Sequence, residues 1–112
     1  MDTTPYQDFA VAHLGGAFTN LELLITALTH RSYLNEHKKS ASEHNERLEF
    51  LGDAVLELVV TDYLYGNFSD PEGVLTNWRS SLVRTESISA AASRLGIEPL
   101  LRLSRGEKHG GD

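Results

Sequence analysis

The chain has 112 residues, a length that suits one domain, and hydrophobic residues make up 40% of it, enough for one core of modest size. It has no cysteine for disulfides or thiolate zinc sites, no apolar run of about 18 residues and no signal peptide, so we expect a soluble cytoplasmic protein with no membrane segment. The net charge of −6 argues against a nucleic-acid-binding protein, although a metal-dependent hydrolase also concentrates carboxylates.

The first half of the chain shows helical spacing interrupted by a polar stretch. Phe9 to Leu14 is predicted to form a short helix that ends at Gly15 and Gly16. Asn20 is a good N-cap for a second helix, whose apolar stripe consists of Leu21, Leu24, Ile25 and Leu28. Residues 35–44 are polar and are expected to form a loop.

The third predicted helix is the longest and runs from about Glu46 to Leu64, before Gly66 and Asn67. The later helical segments are expected at about Val74 to Val83, from there to Leu95 with Gly96 as C-cap, and as a short turn over Glu98 to Leu103. The tail from Ser104 to Asp112 is expected to be a loop. Because no segment alternates with a period of two, the sequence predicts an all-α fold without a sheet.

A helical wheel of the third helix, at about 100° per residue, separates acidic from apolar side chains. The acidic stripe consists of Glu46, Glu49, Asp53 and Glu57. The opposite side, predicted to face the core, consists of Leu48, Leu51, Val55, Leu58 and Val59. Glu49 and Asp53 are one turn apart, a spacing at which both carboxylates can bind one Mg²⁺ that keeps several waters. The alternative is an acidic face that is merely solvated.

Two other residues of this helix are unusual for their positions. Phe50 lies beside the carboxylates and away from the apolar side, so we expect it to be buried either against a second chain or under a loop of its own chain. Gly52 costs a helix interior about 1 kcal/mol relative to alanine. It therefore suggests the close approach of another backbone, although a glycine can also occur there by chance.

The segment NERLEFLGDAVL, residues 45–56, resembles the sequence hallmark of the ribonuclease III family. Three further segments agree with this resemblance: LTHRSY at 28–33, LVRTESIS at 82–89 and LRLSRGEKHGG at 101–111. Together they extend the resemblance from about Leu21 to Gly111, which is most of the chain.

The resemblance implies an all-helical endonuclease domain that works as a homodimer and cleaves double-stranded RNA with Mg²⁺, or with Mn²⁺ as the alternative ion. Glu49 and Asp53 match the two acidic residues that bind the catalytic metal in this family. Glu46 matches an acidic position linked to the substrate and the dimer, and Phe50 matches an aromatic residue that inserts into the partner subunit. Glu57 matches no family ligand and is interpreted as a surface acid.

The chain departs from the family pattern at its end. The family completes its metal site with an Asp and a Glu one turn apart on a helix downstream of the glycine-bearing loop, whereas this chain ends at Asp112 within that loop. We therefore expect residues 1–112 to be a partial catalytic domain, from a fragment or a truncated gene, without the double-stranded RNA-binding domain. The alternatives are a catalytically incomplete module that binds duplex RNA or dimerises, and a plain dimerisation domain with no role in RNA binding.

Basic residues in the second half are candidates for phosphate contacts, since A-form duplexes are recognised through shape, phosphates and 2′-hydroxyls. They are Arg79, Arg84, Arg102, Arg105 and Lys108, each with solvation or a helix-end charge as the alternative. The helical spacing of Trp78 with Leu75 and Leu82 indicates that Trp78 packs in a core or a dimer interface and does not stack on bases. His30 is interpreted as a structural residue.

Overall fold

A computed structural model describes residues 1–16, 18–37 and 43–110 of the chain. The elements are α1 (Thr4–His13), α2 (Leu21–Ala27), α3 (Arg31–Glu36), α4 (Glu46–Asn67), α5 (Glu72–Leu82), α6 (Thr85–Leu95), a 3₁₀ turn (Glu98–Leu100) and α7 (Arg105–Gly110). No strand occurs among these residues, although an isolated parallel bridge pairs Thr29 with Arg102. The predicted all-α fold is therefore confirmed.

The longer predicted helices are present with shifted ends. α1 begins at Thr4 instead of Phe9, because Pro5 in its first turn is already set to a helical φ. α4 continues past Leu64 and through Gly66 to Asn67, whose side-chain Nδ2 donates to the carbonyl of Tyr63 at 2.8 Å. Gly96 ends α6 with a φ of 72°, which confirms it as the C-cap.

Two short helices contradict the predicted loops. α3 includes Asn35 and Glu36, so the loop predicted over residues 35–44 is wrong for these two. The helix starts where the His30 side chain accepts a hydrogen bond from the Ser32 N–H. This contact agrees with the interpretation of His30 as a structural residue, which stays a prediction. His37, Glu43 and His44 are non-helical as expected, and the rest of that predicted loop, 38–42, lies outside the described residues.

α7 occupies the predicted C-terminal loop, so that prediction is also wrong. The Ser104 Oγ accepts the N–H of Glu107 at 3.2 Å, and the Glu36 carboxylate accepts the N–H of Arg105 at 3.3 Å. These two acceptors satisfy N–H groups that the start of a helix otherwise leaves without a partner. Residues 111 and 112 of that tail lie outside the described part of the chain.

The chain divides into two compact units, and the terminal unit comprises Met1–Glu49 and Ile97–Asp112. Its core packs side chains of α1 against those of α2, and its buried members are Tyr6, Ala10, Leu24, Ile25 and Leu28. At the bridge, the Arg102 N–H donates to the Leu28 carbonyl at 2.8 Å and the His30 N–H donates to the Arg102 carbonyl at 2.9 Å. These bonds tie the end of α2 to the segment after the 3₁₀ turn.

The central unit, Phe50–Gly96, contains most of α4 together with α5 and α6. Leu64 is its buried side chain, at 4% exposure. The rings of Phe68 and Trp78 meet edge to face with centroids 5.2 Å apart, and Trp78 remains 38% exposed. Trp78 therefore packs at the margin of this unit, beside an aromatic partner that the helical spacing did not indicate.

The predicted core side of α4 is exposed within the described residues. Leu51, Val55, Leu58 and Val59 retain between 50% and 68% of their accessible surface, and only Leu48 of that set is half-buried. The prediction that this side faces a core is therefore wrong for the described part of the chain, because none of its elements covers these side chains.

No helix described here is both long and apolar enough to span a membrane.

Candidate metal centre and RNA-contacting residues

The start of α4 is held by Asn45, the residue that precedes the helix. Its backbone N–H donates to the Thr29 carbonyl at 2.9 Å, and its side-chain Nδ2 donates to the Ala27 carbonyl at 2.9 Å. Its own carbonyl accepts the N–H of Glu49 at 2.8 Å. Asn45 therefore connects the first turn of α4 to the end of α2.

The acidic stripe is solvent-exposed along α4, at Glu46, Glu49, Asp53 and Glu57. Among residues 1–16, 18–37 and 43–110, no ion pair or hydrogen bond neutralises the carboxylates of Glu49 and Asp53. α4 is continuous from one residue to the other, so their spacing of one turn is a property of the helix itself. The two carboxylates are accessible to a cation from solvent.

Glu46 differs from the other acids of the stripe because it has a basic partner. Arg31 Nη1 lies 3.4 Å from Glu46 Oε2, with 64% and 52% of the two side chains exposed. An ion pair this exposed contributes about 0–1 kcal/mol. Sequence reasoning missed Arg31 because nothing in local helical spacing joins it to Glu46.

The chemistry of Glu49 and Asp53 fits a hard divalent ion, which takes oxygen ligands and binds through one or two carboxylates while keeping waters. Nowhere in the described part of the chain do three or more His, Cys, Asp or Glu side chains cluster closely enough to hold a metal ion. The described residues therefore offer two ligands from one helix, the number expected from the sequence. Metal binding by this pair stays a prediction.

Phe50 is 84% exposed. The alternative in which its ring packs under a loop of its own chain is therefore wrong for the described residues. A Cβ built on Gly52 would meet no atom within 4 Å, so the predicted close approach of a backbone does not occur among the described residues. Burial of Phe50 against a second chain stays a prediction, and the described residues give no reason for a glycine at position 52.

The basic candidates differ in how available their charges are. Arg105 and Lys108 are exposed, and Arg84 is exposed beside Glu86, with Nε 3.2 Å from the Glu86 carboxylate. Arg79 is half-buried and donates to the Thr61 hydroxyl at 2.9 Å. A phosphate contact stays a prediction for all four, and it is sterically simplest for the three exposed ones.

Arg102 does not fit the predicted role of a phosphate contact. Only 8% of it is exposed, and its guanidinium carbon lies 4.2 Å from the centroid of the Tyr33 ring. Its Nη1 also donates to the Thr29 hydroxyl at 3.4 Å. The burial of Arg102 contradicts the prediction and makes it part of the packing of the terminal unit.

Comparisons with known proteins agree with the resemblance that the hallmark segment indicated. The family profile described as Ribonuclease-III-like matches residues 20–112. Ribonuclease 3 of Streptococcus thermophilus is 45% identical over 106 residues, which cover 94% of this chain and 44% of the relative. Ribonuclease 3 of Carboxydothermus hydrogenoformans is 50% identical over 101 residues, covering 88% of this chain and 43% of the relative.

The fold is likewise similar to that of a solved nuclease domain of ribonuclease III from Campylobacter jejuni. The TM-score is 0.79 at 40% sequence identity, and the match covers 93% of this chain and 69% of that one. The chain spans less than half the length of the curated relatives it matches. Because the profile covers most of the chain and the helices match the nuclease domain, the chain belongs to the ribonuclease III-like family.

Proposed function

We propose that this chain is part of an endoribonuclease that hydrolyses phosphodiester bonds in double-stranded RNA in the cytoplasm, with Glu49 and Asp53 holding Mg²⁺, or Mn²⁺ in its place. The observation that carries the proposal is the exposed, un-neutralised pair of carboxylates one turn apart on α4, in a chain of the ribonuclease III-like family. When bound, such an ion activates a water and stabilises the charge that develops on phosphate oxygens.

The protein's own residues contribute binding and orientation. Glu49 and Asp53 supply two anionic oxygen ligands from a rigid helix, which limits the positions that an ion can take. Glu46, held by Arg31, supports the site or the substrate. Arg84, Arg105 and Lys108 offer exposed positive charges for phosphates of a duplex, and Arg79 is a further candidate whose guanidinium is already bonded to Thr61.

The exposure of Phe50 supports the proposal of a homodimer. A large aromatic side chain that is 84% exposed on a helix is typical of an interface, where aromatic residues are enriched. The solved nuclease domain of ribonuclease III from Campylobacter jejuni has a structurally flexible region that is involved in dimer formation. We propose that this chain also dimerises and that Phe50 packs against the second copy.

A cleavage assay on duplex RNA tests the activity. It is run with Mg²⁺ on this chain and on a version extended to the length of the solved nuclease domains. We expect the longer version to cut, and we expect Glu49→Gln and Asp53→Asn to abolish cutting. Glu57→Gln is the matched control, because Glu57 lies on the same acidic stripe and is proposed to bind no metal.

Two results would contradict the proposal. If neither version cuts but the short one still retards duplex RNA in a gel, the protein is a binding module and not a nuclease. If the longer version cuts as well after Glu49→Gln and Asp53→Asn as before, the metal ligands are assigned to the wrong residues.

A further inference from the structure

Within the terminal unit, Asn45 joins the first turn of α4 to the end of α2. Three hydrogen bonds meet at this residue: backbone N–H to the Thr29 carbonyl, side-chain Nδ2 to the Ala27 carbonyl, and its own carbonyl from the Glu49 N–H. The first two fix Asn45 to the end of α2, and the third passes that constraint to the residue proposed as a metal ligand. The side-chain bond is the one that depends on residue type.

The segment that receives these bonds is firmly held. Thr29 is fully buried, and its hydroxyl donates to the Ile25 carbonyl at 2.6 Å. The backbone on either side of Thr29 is bonded to Arg102, through the Leu28 carbonyl and the His30 N–H. A residue bonded to this segment is therefore attached to the best-packed part of the terminal unit.

The first turn of α4 needs such an attachment. The leading N–H groups of a helix have no partner inside it, and helix ends fray. Two other contacts at this end are weak. The ion pair between Arg31 and Glu46 has more than half of each side chain exposed, and the exposed hydrogen bond from the Glu46 N–H to His44 Nδ1 is long, at 3.4 Å. Catalytic constellations tolerate only small errors of position, since displacements near 1 Å can cost about a hundredfold in rate.

From these contacts we propose that Asn45 is a positioning residue for the metal centre. Its side-chain amide, through the bond to the Ala27 carbonyl, sets the place of the first turn of α4 and so of the Glu49 carboxylate. Asn45 touches neither the metal nor the substrate. The inference rests on the proposed function, because it gives Asn45 a role only where Glu49 binds a metal ion.

The test replaces the amide and follows both the metal-free helix and the ion. Asn45→Ala removes the donor to Ala27, and Asn45→Ser also removes it while keeping a residue type that helices favour before their first turn. Asn67→Ala is the matched control, since Asn67 Nδ2 makes the same kind of bond, to the Tyr63 carbonyl, at the other end of α4. Glu49→Gln reports whether Mn²⁺ binds through Glu49 at all.

Two measurements are made on each variant. Hydrogen exchange of the Glu49 amide in the metal-free protein should become faster in both Asn45 variants and stay unchanged in Asn67→Ala. Mn²⁺ binding, followed by electron paramagnetic resonance, should weaken roughly fivefold in the Asn45 variants, the factor that corresponds to one net hydrogen bond. In Asn67→Ala the Kd for Mn²⁺ should change by less than twofold, even if this variant lowers the Tm as much as the Asn45 variants do.

The outcomes separate this inference from the proposed function. If exchange at Glu49 rises but Mn²⁺ binds the Asn45 variants as tightly as the wild type, Asn45 is merely structural and the inference is overturned. If the Asn67→Ala variant loses as much affinity as the Asn45 variants, the effect is one of general stability, which also overturns it. If Glu49→Gln binds Mn²⁺ normally, the proposed metal site itself fails, and the Asn45 inference fails with it.

Discussion

Replacing Asp53 with Asn should stabilise the metal-free protein and at the same time remove its response to Mg²⁺. Asp53 lies four residues after Glu49 and four before Glu57, and all three carboxylates are exposed on α4. Each like-charge pair at this spacing destabilises a helix by about 0.2–0.5 kcal/mol. Removing two pairs should therefore add about 0.4–1 kcal/mol, or roughly 2–6 °C in Tm for a domain of this size.

The assay is thermal unfolding with and without Mg²⁺, with NaCl matching the ionic strength. An ion that binds only the folded state at a hundred times its Kd adds about 2.7 kcal/mol, a gain that the wild type should show and Asp53→Asn should largely lose. Glu57→Gln is the control, because it removes only one like-charge pair and should keep the full Mg²⁺ gain. Equal Mg²⁺ gains in wild type and Asp53→Asn would refute Asp53 as a ligand, and a metal-free Asp53→Asn protein less stable than wild type would refute the repulsion argument.

Three further predictions concern the dimer, the glycines of α4 and the core. Phe50→Ala should weaken dimerisation in sedimentation equilibrium yet change the monomer's free energy of unfolding by less than about 0.5 kcal/mol, because the ring is 84% exposed; an unchanged dimer would contradict its role. Gly52→Ala and Gly66→Ala should each stabilise the monomer by about 1 kcal/mol in urea unfolding, since a Cβ at either site meets open space. Only Gly52→Ala should weaken the dimer, if the backbone of the second copy lies close to Gly52. Tyr6→Phe should cost about 1 kcal/mol at pH 7 by removing the 2.9 Å bond from the Tyr6 hydroxyl to the Leu100 carbonyl. Burial raises the pKa of Tyr6 above its ordinary 10.0, against an opposing effect of the Arg102 charge, so the stability that Tyr6 contributes is complete below pH 10 and is lost as pH rises through the folded-state pKa. In urea unfolding from pH 7 to 11, the free energy of unfolding should therefore fall more steeply at alkaline pH in wild type than in Tyr6→Phe, and parallel curves would contradict this.

The helices that the sequence predicted well are those with an apolar stripe or a clear stop signal. α2 follows Asn20 as expected, and α6 ends at Gly96, whose φ of 72° only glycine adopts readily. α3 and α7 are six residues each, too short for periodicity to show, and side-chain acceptors near their first turns satisfy their leading N–H groups. For α7 a signal existed, since Ser104 and Glu107 have the spacing of a capping box.

Predictability of the site depended on how far apart its interacting residues lie along the chain. The spacing of Glu49 and Asp53 follows from helix geometry alone, and their exposure agrees with their place opposite the apolar side of the wheel. The Arg31 partner of Glu46 and the Ala27 partner of Asn45 come from earlier elements, and Arg102 stacks on Tyr33 from the far end of the chain. Such pairs depend on the packing of the terminal unit, which no local pattern specifies.

The exposed side of α4 shows what a helical wheel can and cannot establish. The wheel identified an apolar side opposite the acidic stripe, but it did not say what covers Leu51, Val55, Leu58 and Val59. Burying one such side chain stabilises a protein by about 1.5–3 kcal/mol, several times the repulsion of a like-charge pair. Because the two sides oppose each other, any surface that covers these side chains stabilises α4 without approaching Glu49 or Asp53. Burial on one side of the helix can therefore offset the repulsion on the other, and a stripe that is unfavourable in isolation can be kept for binding a cation.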